Sequence, residues 1–150
     1  IRGPQGLSAQ KLVEQYQGDA LLLGEALLSA YCGNMVDLWT EPPHHRAAAG
    51  ERPEVSVLAR TQAAHGPHVT SLSHKNIVID DAFALETLKL LDGTRDKTAL
   101  SAALLELLNE GRFKLLADEQ KVSEESPLRA IEKKLDATLI KMAHFGFLLN

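Results

Sequence analysis

Residues 85–100, LETLKLLDGTRDKTAL, decide the fold of this chain because they encode two short helices and a tight corner between them. Gly93 can adopt the left-handed conformation that ends a helix. Thr94 can accept a hydrogen bond from the first amides of the next helix, with Asp96 in its positively polarised first turn. The stretch therefore predicts a helix, a sharp corner and a second helix.

The residues around this stretch extend it in both directions. Asp80 and Asp81 predict the start of the first helix, and Gly111 predicts the end of the second. Ser126 and Pro127 predict the start of a last helix, because proline is favoured at the first helical position. The predicted buried stripe of that last helix consists of Leu128, Ile131, Leu135, Leu139 and Met142.

Two places show a helix followed by glycine and a short apolar strand, which is the closing half of a winged helix. In residues 21–39, Asp19 is the predicted cap, Gly33 the stop and Met35–Trp39 the strand. The second place is residues 135–149. We therefore predict an α+β, mostly helical fold: a winged-helix-like core with short strands and an N-terminal helical extension. The alternative, a purely helical bundle, is disfavoured by three separate strand candidates.

The chain divides into two predicted parts. Residues 1–78 form a regulatory or linker segment with helices and a short strand, and residues 79–150 form the winged-helix-like domain. Residues 40–53 contain three prolines, and their apolar residues follow neither the helical nor the strand repeat, which predicts a loop.

Two further elements are expected between this loop and the boundary. Residues 54–64 are predicted to be helical, with Val55, Leu58 and Ala59 facing inward. Residues 69–79 are predicted to be extended, with a turn at Lys75 and Asn76.

Composition limits the classes of function. The 150 residues are 45% hydrophobic with a net charge of -4, which is typical of an ordinary globular protein. Residues 80–125 hold eleven acidic and six basic side chains, whereas residues 126–150 hold four basic and two acidic. A nucleic-acid binder normally shows a strong basic excess. Nucleic acid is therefore disfavoured as a partner.

The single cysteine, Cys32, excludes an internal disulfide and is consistent with a reducing cytoplasm, which is the predicted location. No apolar run approaches the roughly 20 residues of a membrane helix, so no membrane partner is expected. Residues 1–6 do not resemble a translation start and predict a fragment of a longer chain.

Candidate catalytic chemistry is sparse. The histidines of His65-Gly66-Pro67-His68 cannot share a helical face, so they lack metal-ligand spacing. Ser71, His74 and Asp80 are triad residue types, but no nucleophile-elbow motif surrounds the serine. The chain has no phosphate-binding loop and no glycine-rich nucleotide fingerprint. No catalytic, cofactor-binding or metal-binding residue is predicted.

One succession of motifs resembles a known family. It comprises Arg52-Pro53, SVLARTQA at 56–63, VTSLSH at 69–74, Ile79-Asp80 and the corner at 91–96. This succession resembles the regulatory and C-terminal winged-helix region of bacterial class I S-adenosylmethionine (SAM)-dependent methyltransferases of the protein lysine methyltransferase type. The resemblance covers about residues 20–150.

The resemblance implies that a Rossmann-type catalytic domain holding SAM precedes this fragment in the same polypeptide. The fragment itself would bind no cofactor. Its implied role is docking of a protein or peptide substrate or regulation of the catalytic domain, with a homodimer as one arrangement. No catalytic residue of the family carries over to a position in this sequence.

Two alternatives remain open. Residues 77–150 also look like small winged-helix modules that recognise peptides, in which an extended peptide adds to a strand edge beside the last helix. A DNA-binding transcription factor rests on fold analogy alone.

The candidate interaction or domain-orienting residues are Arg60, Gln62, His74, Arg129 and Lys133. We expect Arg60 and Gln62 to fix the linker helix against the core, because their polar heads fall near its inner face. Arg129 and Lys133 lie on the last helix among acidic neighbours, which favours a solvated mixed-charge face.

Overall fold

The computed structural model describes residues 7–33, 35–36, 38, 45–115 and 126–149. The chain separates into two compact units, residues 1–43 and 44–150. The first contains α1 (Ala9–Gln15) and α2 (Ala20–Cys32). The second contains α3 (Val57–His65), β1 (His68–Thr70), β2 (Asn76–Val78), α4 (Ala82–Leu90), α5 (Lys97–Asn109) and α6 (Pro127–His144). The predicted α+β, mostly helical fold is confirmed.

Each helix of the first unit begins at a capping residue, and Asp19 is the one predicted above. The Ser8 hydroxyl accepts a hydrogen bond from the Lys11 amide at 3.2 Å, and the Asp19 carboxylate accepts one from the Leu21 amide at 2.8 Å. Such caps satisfy amides that have no partner within the helix. Gly33 ends α2 as predicted, and its amide donates to the Ser29 carbonyl at 2.9 Å.

The strand predicted at residues 35–39 is wrong for its described positions. Met35 and Val36 form a bend, and Leu38 has no regular structure. Asp37 and Trp39 lie outside the described residues. Alternating apolar residues form a strand only when a partner strand accepts their backbone hydrogen bonds, and the described residues place none beside this segment.

Residues 53–55, which we call the bridging segment, are extended. The prediction that residues 54 and 55 are helical is therefore wrong. The Val55 amide donates to the Leu91 carbonyl at 3.0 Å, and the Leu149 amide donates to the Glu54 carbonyl at 2.8 Å. These bonds accompany antiparallel bridges from Glu54 to Asp92 and from Val55 to Leu148. The bridging segment therefore pairs with the helical corner on one edge and with the chain after α6 on the other.

Helix α3 starts later than predicted because Ser56 caps it. The Ser56 hydroxyl accepts from the Ala59 amide at 3.1 Å. Ala59 is buried as predicted, but Leu58 is 57% exposed. Val55 is fully buried, as part of the bridging segment. The buried face of α3 is formed by Ala59 and Ala63, which are four residues apart, and Leu58 lies outside that face.

The corner between α4 and α5 differs from the prediction in its cap. Gly93 has a φ of +79°, the predicted left-handed conformation. The cap of α5 is Asp96, whose carboxylate accepts from the Ala99 amide at 2.8 Å. Thr94 was predicted to be the cap, but its amide donates to the Asp92 carboxylate at 2.9 Å. Thr94 therefore stabilises the corner itself.

A single hydrophobic core joins the elements of the second unit. It includes Ala63 of α3, Val69 of β1, Phe83 of α4 and Leu100 of α5. Four of the five predicted α6 positions are buried: Ile131, Leu135, Leu139 and Met142. Leu128, in the first turn of α6, is 40% exposed.

The boundary predicted between residues 78 and 79 stays a prediction. Buried residues on both of its sides, including Val69 and Phe83, belong to the same core. The division between compact units falls at residues 43 and 44.

The chain after α6 turns sharply at Gly146, and the strand predicted beyond it is reduced to a single antiparallel bridge from Leu148 to Val55. Gly146 has a φ of +74°, and Phe147 and Leu148 behind it are buried. The Leu72 amide, in the turn between β1 and β2, donates to the Gly146 carbonyl at 2.9 Å. This bond attaches the hairpin turn to the end of α6.

We predict that Gly146→Ala lowers the free energy of unfolding by about 1–2 kcal/mol. Alanine is strained at this φ, and its Cβ would lie 2.5 Å from Ser73 Oγ and 3.1 Å from a carbon of the His45 ring. Urea unfolding measures the change. The matched control is Gly66→Ala, where a Cβ meets nothing within 4 Å. Equal losses in the two variants would contradict the prediction.

Candidate functional site

The corner carries a compact charged network centred on Asp92. Its carboxylate accepts hydrogen bonds from the Thr94 amide at 2.9 Å, from the Thr94 hydroxyl and from Arg95 Nη1 at 2.6 Å. The Thr94 hydrogen bonds, with a smaller contribution from Arg95, lower the pKa of Asp92 from 3.8 to about 2. A carboxylate held in this state stabilises the corner and is a poor proton acceptor near neutral pH.

Glu86 of α4 is a buried acidic residue. Its carboxylate lies 3.0 Å from Lys89 Nζ and 3.3 Å from Arg112 Nη2. Arg112 follows α5, so the pair links α4 to the chain beyond α5. Both partners are cations, so Glu86 has a structural role at the meeting of α4 and the chain beyond α5.

Helix α6 is fixed by ion pairs to the beginnings of α4 and α5. Lys134 Nζ lies 3.1 Å from the carboxylate of Asp81, the α4 cap, and 4.8 Å from the Phe83 ring centre. Asp136 lies 2.6 Å from Lys97 Nζ, at the start of α5. Lys134 is thus engaged within the fold, which reduces the positive charge that α6 presents outward.

The structure places the predicted site residues in separate locations. Gln62 lies against β1, and His74 occupies the hairpin turn with a φ of +58°. Arg129 and Lys133 are exposed on the first half of α6. The hairpin turn adjoins the other end of α6, roughly 20 Å away along the helix axis. The five residues therefore do not form one site.

Arg60 lies on α3, two residues before Gln62. Its Nε atom is buried without a hydrogen-bond partner among the described residues. The orienting role expected of Arg60 and Gln62 stays a prediction.

Gln62 closes the outer edge of β1. Its side-chain oxygen accepts from the Thr70 amide at 2.8 Å, and its side-chain nitrogen donates to the Thr70 hydroxyl at 3.1 Å. Side-chain amides that occupy backbone groups in this way prevent another strand from pairing with the edge. Sequence reasoning singled out Gln62 but not its partner, because nothing in the local pattern identifies Thr70.

The outer edge of β2 has no such cover within the described part of the chain. The strands pair in the register His68 with Val78, Val69 with Ile77 and Thr70 with Asn76. Because backbone direction alternates along an antiparallel ladder, the amides of Asn76 and Val78 point away from β1. Val78 is 52% exposed. The β2 edge can therefore accept an extended segment.

An exposed apolar pair lies near the hairpin turn at the end of α6. Ile140 is 71% exposed and Phe145 is 44% exposed. The Phe145 ring packs edge-on against His144 at 5.5 Å between ring centres. The sequence analysis did not identify these residues. The sequence pattern could have identified Ile140, because this apolar residue falls outside the predicted buried stripe of α6.

Other kinds of site have little support among the described residues. A cavity of about 190 Å³ between α5 and α6, lined by Lys97, Ser101 and Asp136 among others, is smaller than the ~300 Å³ of a typical ligand pocket. No group of three or more His, Cys, Asp or Glu in the described ranges could hold a metal ion. None of the described helices has the length and apolar character needed to cross a membrane.

A comparison with known protein families identifies the fold of the second unit. Residues 51–147 match the family model described as PKMT, C-terminal winged helix domain. The chain belongs to this family. The matched range begins just before the bridging segment and contains all elements from α3 to α6. The predicted winged-helix core and the resemblance to protein lysine methyltransferases are confirmed.

Solved structures show the same fold. PKMT2 from Rickettsia typhi shares 20% identity with this chain at a TM-score of 0.70, covering 95% of this chain and 30% of that one. A structure of PKMT2 from Rickettsia typhi in complex with AdoHcy shares 18% identity at a TM-score of 0.71, with the same coverage. The chain thus spans about 30% of the length of these PKMT2 chains. A comparison with curated protein sequences finds no match.

We predict that Asp92→Asn lowers the free energy of unfolding at pH 7 by about 1 kcal/mol, after allowance for solvent screening. The pKa of Asp92 is lowered in the folded state, so its stabilisation is present above pH 4 and is lost as the pH falls towards about 2. Urea unfolding measured from pH 7 to pH 2 should therefore give free energies of unfolding for the unsubstituted protein and for Asp92→Asn that converge as the pH falls. Glu106→Gln, on the exposed face of α5, is the control. A difference that stays constant with pH would contradict the prediction.

Proposed function

We propose that this chain is the non-catalytic regulatory or substrate-docking region of a SAM-dependent protein lysine methyltransferase. The observation that carries the proposal is the match of residues 51–147 to the PKMT C-terminal winged helix domain. The catalytic domain would belong to the same polypeptide, would bind SAM and would act in the cytoplasm. The chain spans only about 30% of PKMT2, which supports such a division of labour.

The internal contacts of the second unit agree with a non-catalytic role. Glu86 is paired with Lys89 and Arg112, and Asp92 is held by Thr94 and Arg95. These side chains are committed to holding helices together. General acid and base catalysis needs a group whose pKa lies near the working pH.

We expect the intact polypeptide to bind SAM and transfer its methyl group to lysine, and residues 1–150 alone to do neither. Titration calorimetry with SAM measures binding. Transfer from radiolabelled SAM to a cell protein extract, with the lysines located by mass spectrometry, measures activity. Binding of SAM by residues 1–150 would overturn the non-catalytic assignment. Lack of lysine methylation by the intact polypeptide would overturn the methyltransferase assignment.

A second candidate function, recognition of an extended peptide, is favoured by the two edges of the hairpin. Gln62 closes the edge of β1, whereas the described residues leave the β2 edge uncovered. A peptide that pairs with β2 would lie beside Val78 and gain main-chain hydrogen bonds. In this arrangement the β2 edge would bring the substrate to the catalytic domain.

Val78→Pro tests this candidate, because proline removes the outward amide and leaves the inward β2 hydrogen bonds in place. We expect the KM for a lysine peptide substrate to rise about tenfold, equivalent to about 1.4 kcal/mol, with little change in kcat. Val78→Thr keeps the amide and is the matched control. An unchanged KM in a folded Val78→Pro protein would exclude the β2 edge as the docking site.

A further inference from the structure

Helix α2 is strongly apolar, yet none of its residues is buried. Glu25 is its only charged residue. Leu21 is 78% exposed, Leu28 57% and Tyr31 48%. Apolar helices that are stable in water normally bury such side chains against another element.

Four exposed residues of α2 share one face of the helix, and Leu22, which is 58% exposed, lies off this face. Leu21, Gly24, Leu28 and Tyr31 follow one another at spacings of three, four and three residues, which places them in one line. We call these four residues the α2 stripe. Spacing of this kind is typical of a helix that packs lengthwise against a second helix or a sheet.

Gly24 leaves the middle of the α2 stripe without a side chain. A Cβ at this position would meet nothing within 4 Å, so no contact among the described residues requires glycine there. Glycine inside a helix costs about 1 kcal/mol relative to alanine. A glycine between two exposed leucines allows the backbone of another element to approach closely.

The size of the α2 stripe indicates what kind of occupant it fits. The α2 stripe has four residues, whereas each partner in a stable complex between separate molecules contributes roughly 20–30 residues. Contacts between domains of one polypeptide can be smaller, because the covalent connection supplies a high effective concentration. The small size of the α2 stripe therefore favours a packing partner in the same polypeptide over a second copy of the chain.

We propose that the α2 stripe packs against an apolar face of the catalytic domain in the same polypeptide, an inference that rests on the proposed function. Leu21 and Leu28 fill depressions on that face, and Gly24 sets the closest approach. The fold likeness to PKMT2 covers 95% of this chain but 30% of that chain. Most of such a polypeptide thus lies outside these residues and can supply the face.

Cys32 is a native reporter of this contact. It is exposed at the end of α2, eleven residues after Leu21 and so on nearly the same face. We expect iodoacetamide to alkylate Cys32 at least tenfold more slowly in the intact polypeptide than in residues 1–150, as measured by mass spectrometry of the Cys32 peptide. Leu28→Glu in the intact polypeptide should restore the fast rate. Ala26→Glu, on an exposed position of α2 away from the stripe, should retain the slow rate.

Each other outcome overturns the inference. Slow alkylation already in dilute residues 1–150 means that the rest of this chain covers the stripe. Protection that rises with concentration together with a dimer mass means that a second copy covers it. Fast alkylation in the intact polypeptide means that no part of the polypeptide covers the stripe.

SAM-dependent lysine methylation is measured on the same samples. Methylation with fast alkylation overturns only the α2 inference, whereas lack of methylation overturns the proposed function.

Discussion

The second unit depends on the two-sided pairing of its bridging segment. The amide of Val55 donates to Leu91, and the carbonyl of Glu54 accepts from Leu149. Val55 and Leu91 are fully buried, so the two backbone groups of the bond between them have no water to replace a lost partner. The pairing therefore fixes the helical corner relative to the end of α6. The hairpin turn, attached to Gly146, takes its position from the same contacts.

This construction determines which surfaces remain for interaction. The ion pairs from α6 to Asp81 and Lys97 hold the three last helices together and neutralise part of the charge on α6. Gln62 covers one edge of the hairpin. The exposed features described in the second unit include the β2 edge and Ile140 near the end of α6, and the first unit, taken by itself, exposes the α2 stripe. Edges and apolar faces recognise other polypeptides, which agrees with a region that serves a catalytic domain.

Prediction from sequence succeeded where the signal is local and failed where distant partners compete. Asp19 caps α2 as predicted, and Asp81, one of the two residues predicted to begin α4, caps that helix. A cap joins residues only two or three positions apart. Thr94 had the same local signal, but its hydrogen bonds go to Asp92. Val55 fits the helical pattern, but its amide pairs with Leu91. Among the candidate site residues, Gln62 was identifiable by type, whereas its partner Thr70 became visible only in the fold.

The sequence by itself determined the order and approximate extent of the helices, the modest net charge and the resemblance to the methyltransferase family. These features follow from apolar spacing, capping residues and composition, which act over a few positions. The tertiary structure alone decided that the bridging segment is extended, that Gln62 closes β1 and that the α2 stripe is exposed. Each of these depends on which distant groups meet once the core has packed. A backbone amide can satisfy the same hydrogen-bonding requirement within a helix or with a distant carbonyl, and only packing selects between them.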